Sequence, residues 1–400
     1  MNKINVIALR SPLSENHEIL NQERGAFLDS LSHLLNVEFA FGEITPISVF
    51  LIETGGTEEE FIKCYQNYRP PYYLLTTKRR NSLPAALEIG AYLSNRNLPY
   101  KIMHGTGAII AQELRRIILS FQDKEMPSFR FGVIGKPSDW LIASDVDRFY
   151  AEQKYHILFI DVDYEEFLAE INQKTYESSD VTAKIRQKAA NNKYLDGALH
   201  IYGALKRLVK KHDLHGFSIR CFDLLGSYHN TACLALALIN SEGINAGCEG
   251  DLPILVGMHL IRQCLAQASF QANPSSIDLE AKTITFAHCT VPFSMCPKSE
   301  FLTHFESGLG IGIRGQMKTG PCTVFRLSAN LRKAFIAEGE IVANLSRDDL
   351  CRTQIVIKID NGLDKLLSSP LGNHHLIIYG HHSKALLATL TSLDANLKLI

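Results

Sequence analysis

The feature that most constrains this chain is an alternation. Over roughly its first 275 residues, short apolar runs of β-type composition are interleaved with amphipathic stretches at helical spacing, the pattern of open α/β sheets. Ile47 to Ile52 is such a run, followed by a Gly55-Gly56 turn and the helical stretch Glu58 to Tyr65. Pro70-Pro71 precedes a strand at Tyr72 to Thr76, and Leu83 to Asn95 carries apolar residues at helical spacing. A second unit opens with Phe131 to Ile134, which runs into Gly135-Lys-Pro-Ser-Asp-Trp140, and Ile157 to Asp161 follows as another strand. Leu195 to Lys211 reads as a long amphipathic helix, and Phe217 to Phe222 as a strand that delivers Asp223 at its carboxyl end.

The character changes after Asn273-Pro274. Thr283 to His288, Gly310 to Arg314, Thr323 to Leu327 and Arg352 to Ile359 are short β-type runs separated by Gly, Pro and Lys turns. A chain of 400 residues also exceeds what one ordinary core accommodates. The pattern therefore predicts two Rossmann-like α/β domains, 1–126 and 127–274, followed by a mainly β domain, 275–400. The first boundary is drawn at Met126-Pro127-Ser128.

Composition narrows the function classes. Net charge is −1, and the 41 Lys and Arg residues are scattered, so the clustered basic face that nucleic-acid binding needs is missing. No window approaches the roughly 20 apolar residues of a membrane helix. The N-terminal Met1 to Arg10 reads as a first strand, not a signal peptide, because no small-residue cleavage site follows it. Nine cysteines without CxxC spacing argue against a disulfide framework or a structural zinc site. A cytoplasmic protein is the expectation.

Three segments place metal-binding chemistry at turns. Asp223 ends an apolar strand and reads either as a helix cap or as an oxygen ligand. Cys248-Glu-Gly-Asp251 sets two carboxylates around a glycine just before a helix, which suits dipole complementation as well as ligation. Gly372-Asn-His-His375 leads into the strand Leu376 to Tyr379. A histidine pair between a turn and a strand is a candidate for an ion that accepts imidazole with carboxylates, such as Mn²⁺. His288 and His304 sit at turns of the β-rich part, and the single Trp140 reads as core or as a stacking face for a sugar.

Together these strings resemble the L-fucose isomerase and L-arabinose isomerase superfamily. The resemblance rests on Phe222-Asp223, on Glu249 lying 26 positions later within Glu-Gly-Asp251, and on Asn373-His374-His375. Ala287-His-Cys-Thr290 and the glycine-rich Gly308 to Gly320 add to it, and it covers the chain from about residue 195 onward. It implies that Asp223, Glu249 and one of His374 or His375, with His374 favoured, hold Mn²⁺ or another divalent cation. It implies aldose–ketose isomerisation of a pentose, hexose or 6-deoxyhexose, with Asp223 or Glu249 as proton carrier and Asp251, His288 and His304 orienting the sugar. Relatives form trimers or hexamers, so a homo-oligomer is expected. Two departures leave the sugar open: many relatives carry Glu where Asp223 stands, and full-length fucose isomerases are longer. The rival readings are a non-catalytic sugar-binding protein on the same scaffold, and another metal-dependent sugar enzyme such as an aldolase or epimerase.

Overall fold

The computed structural model of the chain describes residues 2–14, 17–43, 45, 47–68, 70–96, 98–122 and 129–400. Two compact units are present, Met1–Met126 and Pro127–Ile400. The Met126-Pro127-Ser128 segment expected as a boundary lies outside the described residues.

Unit 1 contains β1 (Asn2–Leu9), α1 (His17–Leu35), β2 (Val37–Ala40), β3 (Ser48–Ile52), α2 (Glu58–Cys64), β4 (Tyr72–Thr76), α3 (Ser82–Ser94), β5 (Tyr100–Met103) and α4 (Gly107–Gln122). The strands form one parallel sheet in the order β2-β1-β3-β4-β5. Parallel strands covered on both faces need apolar side chains on both faces, and Val49, Phe50, Leu51 and Ile52 are all buried accordingly. Val49 and Leu51 pack toward Leu31 and Leu114, while Phe50 and Ile52 pack toward Phe61 and Leu93.

Unit 2 begins with β6 (Phe129–Ile134), α5 (Arg148–Tyr155), β7 (Ile157–Val162), α6 (Tyr164–Ile171), α7 (Asp180–Lys188), α8 (Leu195–Lys211), β8 (Gly216–Ile219), α9 (Asp223–Ser227), α10 (Cys233–Ser241), β9 (Asn245–Cys248) and α11 (Leu252–Leu265). Its four strands are parallel in the order β7-β6-β8-β9. Next come β10 (Phe270–Asp278), β11 (Thr283–His288), β12 (Lys298–Leu302), β13 (Gly312–Gln316), β14 (Gly320–Leu327), β15 (Lys333–Leu345), β16 (Thr353–Lys358), α12 (Leu363–Ser368), β17 (His375–Tyr379), α13 (Ser383–Leu393) and β18 (Lys398–Leu399). Six strands run antiparallel in the order β14-β17-β10-β11-β16-β15, and a direct β14–β15 pairing closes them into a barrel. The fold is therefore mixed α/β, with parallel sheets and a separate antiparallel barrel. One apolar cluster runs from the parallel sheet to the barrel, joining Phe217 and Ile219 to Phe286, Val324 and Ile377. The domain edge expected at 274/275 falls inside β10.

One local expectation changes in a way that matters for chemistry. The strand expected to run from Phe217 to Phe222 ends at Ile219, and Asp223 opens the short helix α9 instead of standing at a strand tip. Beside it, α10 is apolar all round and fully enclosed from Cys233 to Asn240, as its unbroken apolar sequence requires.

Candidate functional site

The Glu-Gly-Asp turn is built by backbone geometry. After β9, both Glu249 (φ 62°) and Gly250 (φ 72°) adopt the left-handed conformation. A side chain at position 250 would meet Pro137 Cα at 2.6 Å and the Lys136 carbonyl at 2.7 Å, so only glycine fits there. Glu249 has no such exemption, and a left-handed non-glycine residue costs of the order of 1 kcal/mol, a strain that concentrates at functional positions. The turn is held by Gly250 N–H donating to the Ile219 carbonyl (2.9 Å) and Ser138 N–H donating to the Glu249 carbonyl (3.0 Å). Asp251 then caps α11, accepting from Ile254 N–H at 3.1 Å.

This turn brings Glu249 against two histidines from distant strands. Its Oε1 lies 3.4 Å from His374 Nε2 and 3.6 Å from His288 Nε2, and its Oε2 accepts from Trp140 Nε1–H at 2.9 Å. All three partners belong to residues singled out from the sequence. Burial is the largest influence on Glu249 and would raise its pKa, but the two imidazoles together outweigh it and hold the carboxyl well below its usual range.

His374 is fully enclosed, and its two ring nitrogens are in different situations. Nδ1–H donates to Asp251 Oδ2 at 3.0 Å, whereas the buried Nε2 has no hydrogen-bond partner among the described residues and points at Glu249. A carboxylate on one imidazole nitrogen orients the ring, the arrangement found behind metal-ligating histidines, and Nε2 can serve a cation once it gives up its proton. Burial alone would lower His374, yet Glu249 and Asp251 push it up to about 9.

Behind Asp251 stands Arg326, which is completely buried. Its Nη1 donates to Asp251 Oδ2 at 3.2 Å and to the His374 carbonyl. A Cβ on Gly372 would lie 2.0 Å from Arg326 Nη2, so the glycine makes room for the guanidinium. Ser144 Oγ–H also donates to Asp251 Oδ2, at 3.3 Å. Asp251 is thus buried below the site and does not face a cavity, contrary to the expected role on substrate hydroxyls. Its burial, which would raise its pKa, is overcome by Arg326 and His374, and the group stays ionised.

A cavity of about 500 Å³ opens above Glu249. Glu249, His288, Trp140, His304, Asn373 and Glu306 supply its polar lining, and five cysteines, Cys221, Cys233, Cys248, Cys289 and Cys351, line it as well. Trp140 is 54 % exposed and packs edge-on against Phe222 at 4.9 Å. His304 packs on the same Phe222 at 5.6 Å, with Nδ1 3.2 Å from Ser307 Oγ. His374 does not itself line the cavity.

Two expected ligands are placed elsewhere. Both Asp223 oxygens accept from Arg220 Nε, at 2.9 and 2.8 Å, and the residue does not line the cavity. The arginine three residues before it captures it because the strand stops early. His375 alternates to the opposite side of β17 from His374 and packs against Phe286 and Phe335, with Nδ1–H donating to the Asn373 carbonyl. Burial, reinforced by Arg326, pushes it down to about 3, a core histidine.

Among the described residues, Cys248, Glu249 and His288 form the trio whose ligand atoms are close enough to share one ion, all within 4.8 Å of one another, and His374 adjoins it through Glu249 Oε1. Carboxylate with imidazole suits Mn²⁺, Co²⁺ or Zn²⁺, and the partnerless His374 Nε2 is the feature such an ion would satisfy. Arg326 and Glu306 were not anticipated from sequence. An arginine inside the apolar run Thr323 to Leu327 was the available signal for the first.

No family model matches the chain. In an alignment 212 positions long that covers 48% of this chain and 46% of the relative, it is 26% identical to the sulfoquinovose isomerase of Clostridium sp. (strain MSTE9). The match spans about half the length of that curated relative. It is a likeness to a sugar isomerase, and it supports the distant relation to isomerases of the fucose and arabinose kind that the Glu-Gly-Asp and Asn-His strings implied.

Proposed function

We propose that this chain is a metal-dependent aldose–ketose isomerase whose cation is held by Glu249 and His374 with His288. The observation that carries the reading is the Asp251–His374–Glu249 row, in which a buried imidazole is oriented by one carboxylate and turns its Nε2 toward another. The likeness to a sugar isomerase supplies the reaction class. When bound, the cation would act as a Lewis acid toward the oxygens on C1 and C2 of an open-chain sugar.

The remaining work belongs to the chain. Glu249, held well below the usual carboxylate range and anchored by Trp140 Nε1–H, is a good ligand and a weak base. Glu306 is the other carboxylate lining the cavity, is solvent-reachable, and has no ion-pair partner among the described residues. In this reading Glu306 carries the proton between C1 and C2. His304 orients the sugar hydroxyls, and the exposed face of Trp140 stacks on the sugar. Asp223, tied to Arg220, has a structural role. The cavity's size of about 500 Å³ accommodates a pentose or hexose.

The test is solvent-deuterium exchange at C2, run across pentoses, hexoses, 6-deoxyhexoses and sulfoquinovose with added divalent metal. Metal-dependent exchange with at least one sugar, abolished in Glu306→Gln with binding retained, supports the reading. Binding without exchange across the whole panel favours the non-catalytic scaffold, and carbon–carbon cleavage would assign an aldolase instead.

A further inference from the structure

We propose that the Cys248 thiol is a further donor at this site and binds the cation as a thiolate, so that the site takes a borderline-soft divalent metal, cobalt or zinc, in preference to magnesium. The proposal rests on the metal reading above and deepens it.

Neighbouring residues on a strand point to opposite faces, so a carboxylate and a thiol at positions 248 and 249 would ordinarily diverge. Here Cys248 is the last residue of β9, and the left-handed Glu249 turns the chain so that both side chains line one cavity. With His288 they form a trio whose ligand atoms all lie within 4.8 Å of one another. A single ion about 2.0 to 2.3 Å from each oxygen, nitrogen and sulfur is compatible with that spacing. The backbone of Cys248 is clamped on both sides by one buried side chain: Gln271 Oε1 accepts from its N–H at 2.9 Å, and Gln271 Nε2–H donates to its carbonyl at 3.2 Å. A ligand held this firmly needs little reordering to bind.

Buried cysteines are commonly small space-fillers. Two observations set this one apart. It shares a cavity wall with two ionisable donors, Glu249 and His288, and its Sγ lies 3.2 Å from a second thiol, Cys221 Sγ. The fully buried His374 Nε2, which makes no other contact than that to Glu249 among the hydrogen-bonding groups of the described residues, is aimed at the same carboxylate. In the binding step the S–H bond breaks, its proton leaves to solvent, and a sulfur–metal bond forms. Thiolate donors favour cobalt and zinc over magnesium.

The experiment uses the full chain loaded with Co²⁺ alone and read by absorption spectroscopy. The expected result is a near-ultraviolet thiolate-to-cobalt charge-transfer band that is lost in Cys248→Ser and kept in Cys221→Ser and Cys289→Ser. Visible cobalt bands without the charge-transfer band, or a band that survives Cys248→Ser, overturns the thiolate assignment and leaves the metal reading standing. Failure to bind cobalt at all overturns both. Should the serine variant fail to fold, Cys248→Ala takes its place: loss of the charge-transfer band in the folded alanine variant is expected, and a band that survives there contradicts the proposal.

Discussion

Glu249 Oε1 and His374 Nε2 lie 3.4 Å apart although 125 positions separate them in the chain. The first comes from the turn that ends the parallel sheet, the second from the residue that enters barrel strand β17. Their meeting is a product of packing between sheet and barrel, and three of the expectations below follow from how it is supported.

Asp251 supports His374 Nδ1 and is the buried countercharge of Arg326. Asp251→Asn keeps the shape and removes the charge, leaving a buried guanidinium unpaired. The expected cost is about 3 to 5 kcal/mol in urea denaturation, and metal affinity measured by titration should fall about 10 to 100-fold. An unchanged stability would mean that Arg326 finds its charge balance elsewhere.

Trp140 Nε1–H donates to Glu249 Oε2, while the ring is about half exposed. Trp140→Phe removes one hydrogen bond to a carboxylate and little packing. We expect kcat/KM to fall by about tenfold and denaturant stability to change by less than about 1 kcal/mol. A large stability loss with unchanged kcat/KM would make Trp140 a packing residue only.

His259, on α11, is packed against Phe129 and Phe131, and burial, aided by the nearby His215, pushes it down to about 4 from an ordinary 6.5. The unfolded chain therefore takes up a proton between about pH 6.5 and 4 that the folded chain refuses. Stability from this group is complete above about 6.5 and is lost as pH falls toward 4, a contribution on the order of 3 kcal/mol. His259→Leu should lower the acid-unfolding midpoint of the chain. A midpoint equal to or above that of the parent would remove His259 as a source of acid lability.

The chemistry of the site was more legible in the sequence than its geometry. Glu249 and His374 stood out as candidate ligands because acidic and imidazole groups sit at turns there, although helix-dipole and structural roles fitted the same strings, and His288 read as a sugar contact, not a ligand. Asp223 was misplaced because nothing in the apolar run from Phe217 announces that β8 stops at Ile219 and that Arg220 takes the carboxylate. The choice between His374 and His375 depended on which face of β17 meets Asp251, a matter of barrel register that local sequence does not encode. Asp251 read as a substrate contact because its partner Arg326, 75 positions away, becomes visible only when α11 packs on β14. The alternation of β-type and helical stretches did announce parallel sheets followed by an antiparallel region, since it reflects burial on one face or two.

The central claim is that Glu249 and His374 hold one divalent ion, and metal content of the purified chain tests it most directly. After loading with Mn²⁺ or Co²⁺ and exhaustive buffer exchange, the wild-type chain is predicted to retain about one ion per chain. Glu249→Gln and His374→Ala are each predicted to retain almost none while keeping the wild-type circular dichroism spectrum. Full occupancy in both folded variants would contradict the account.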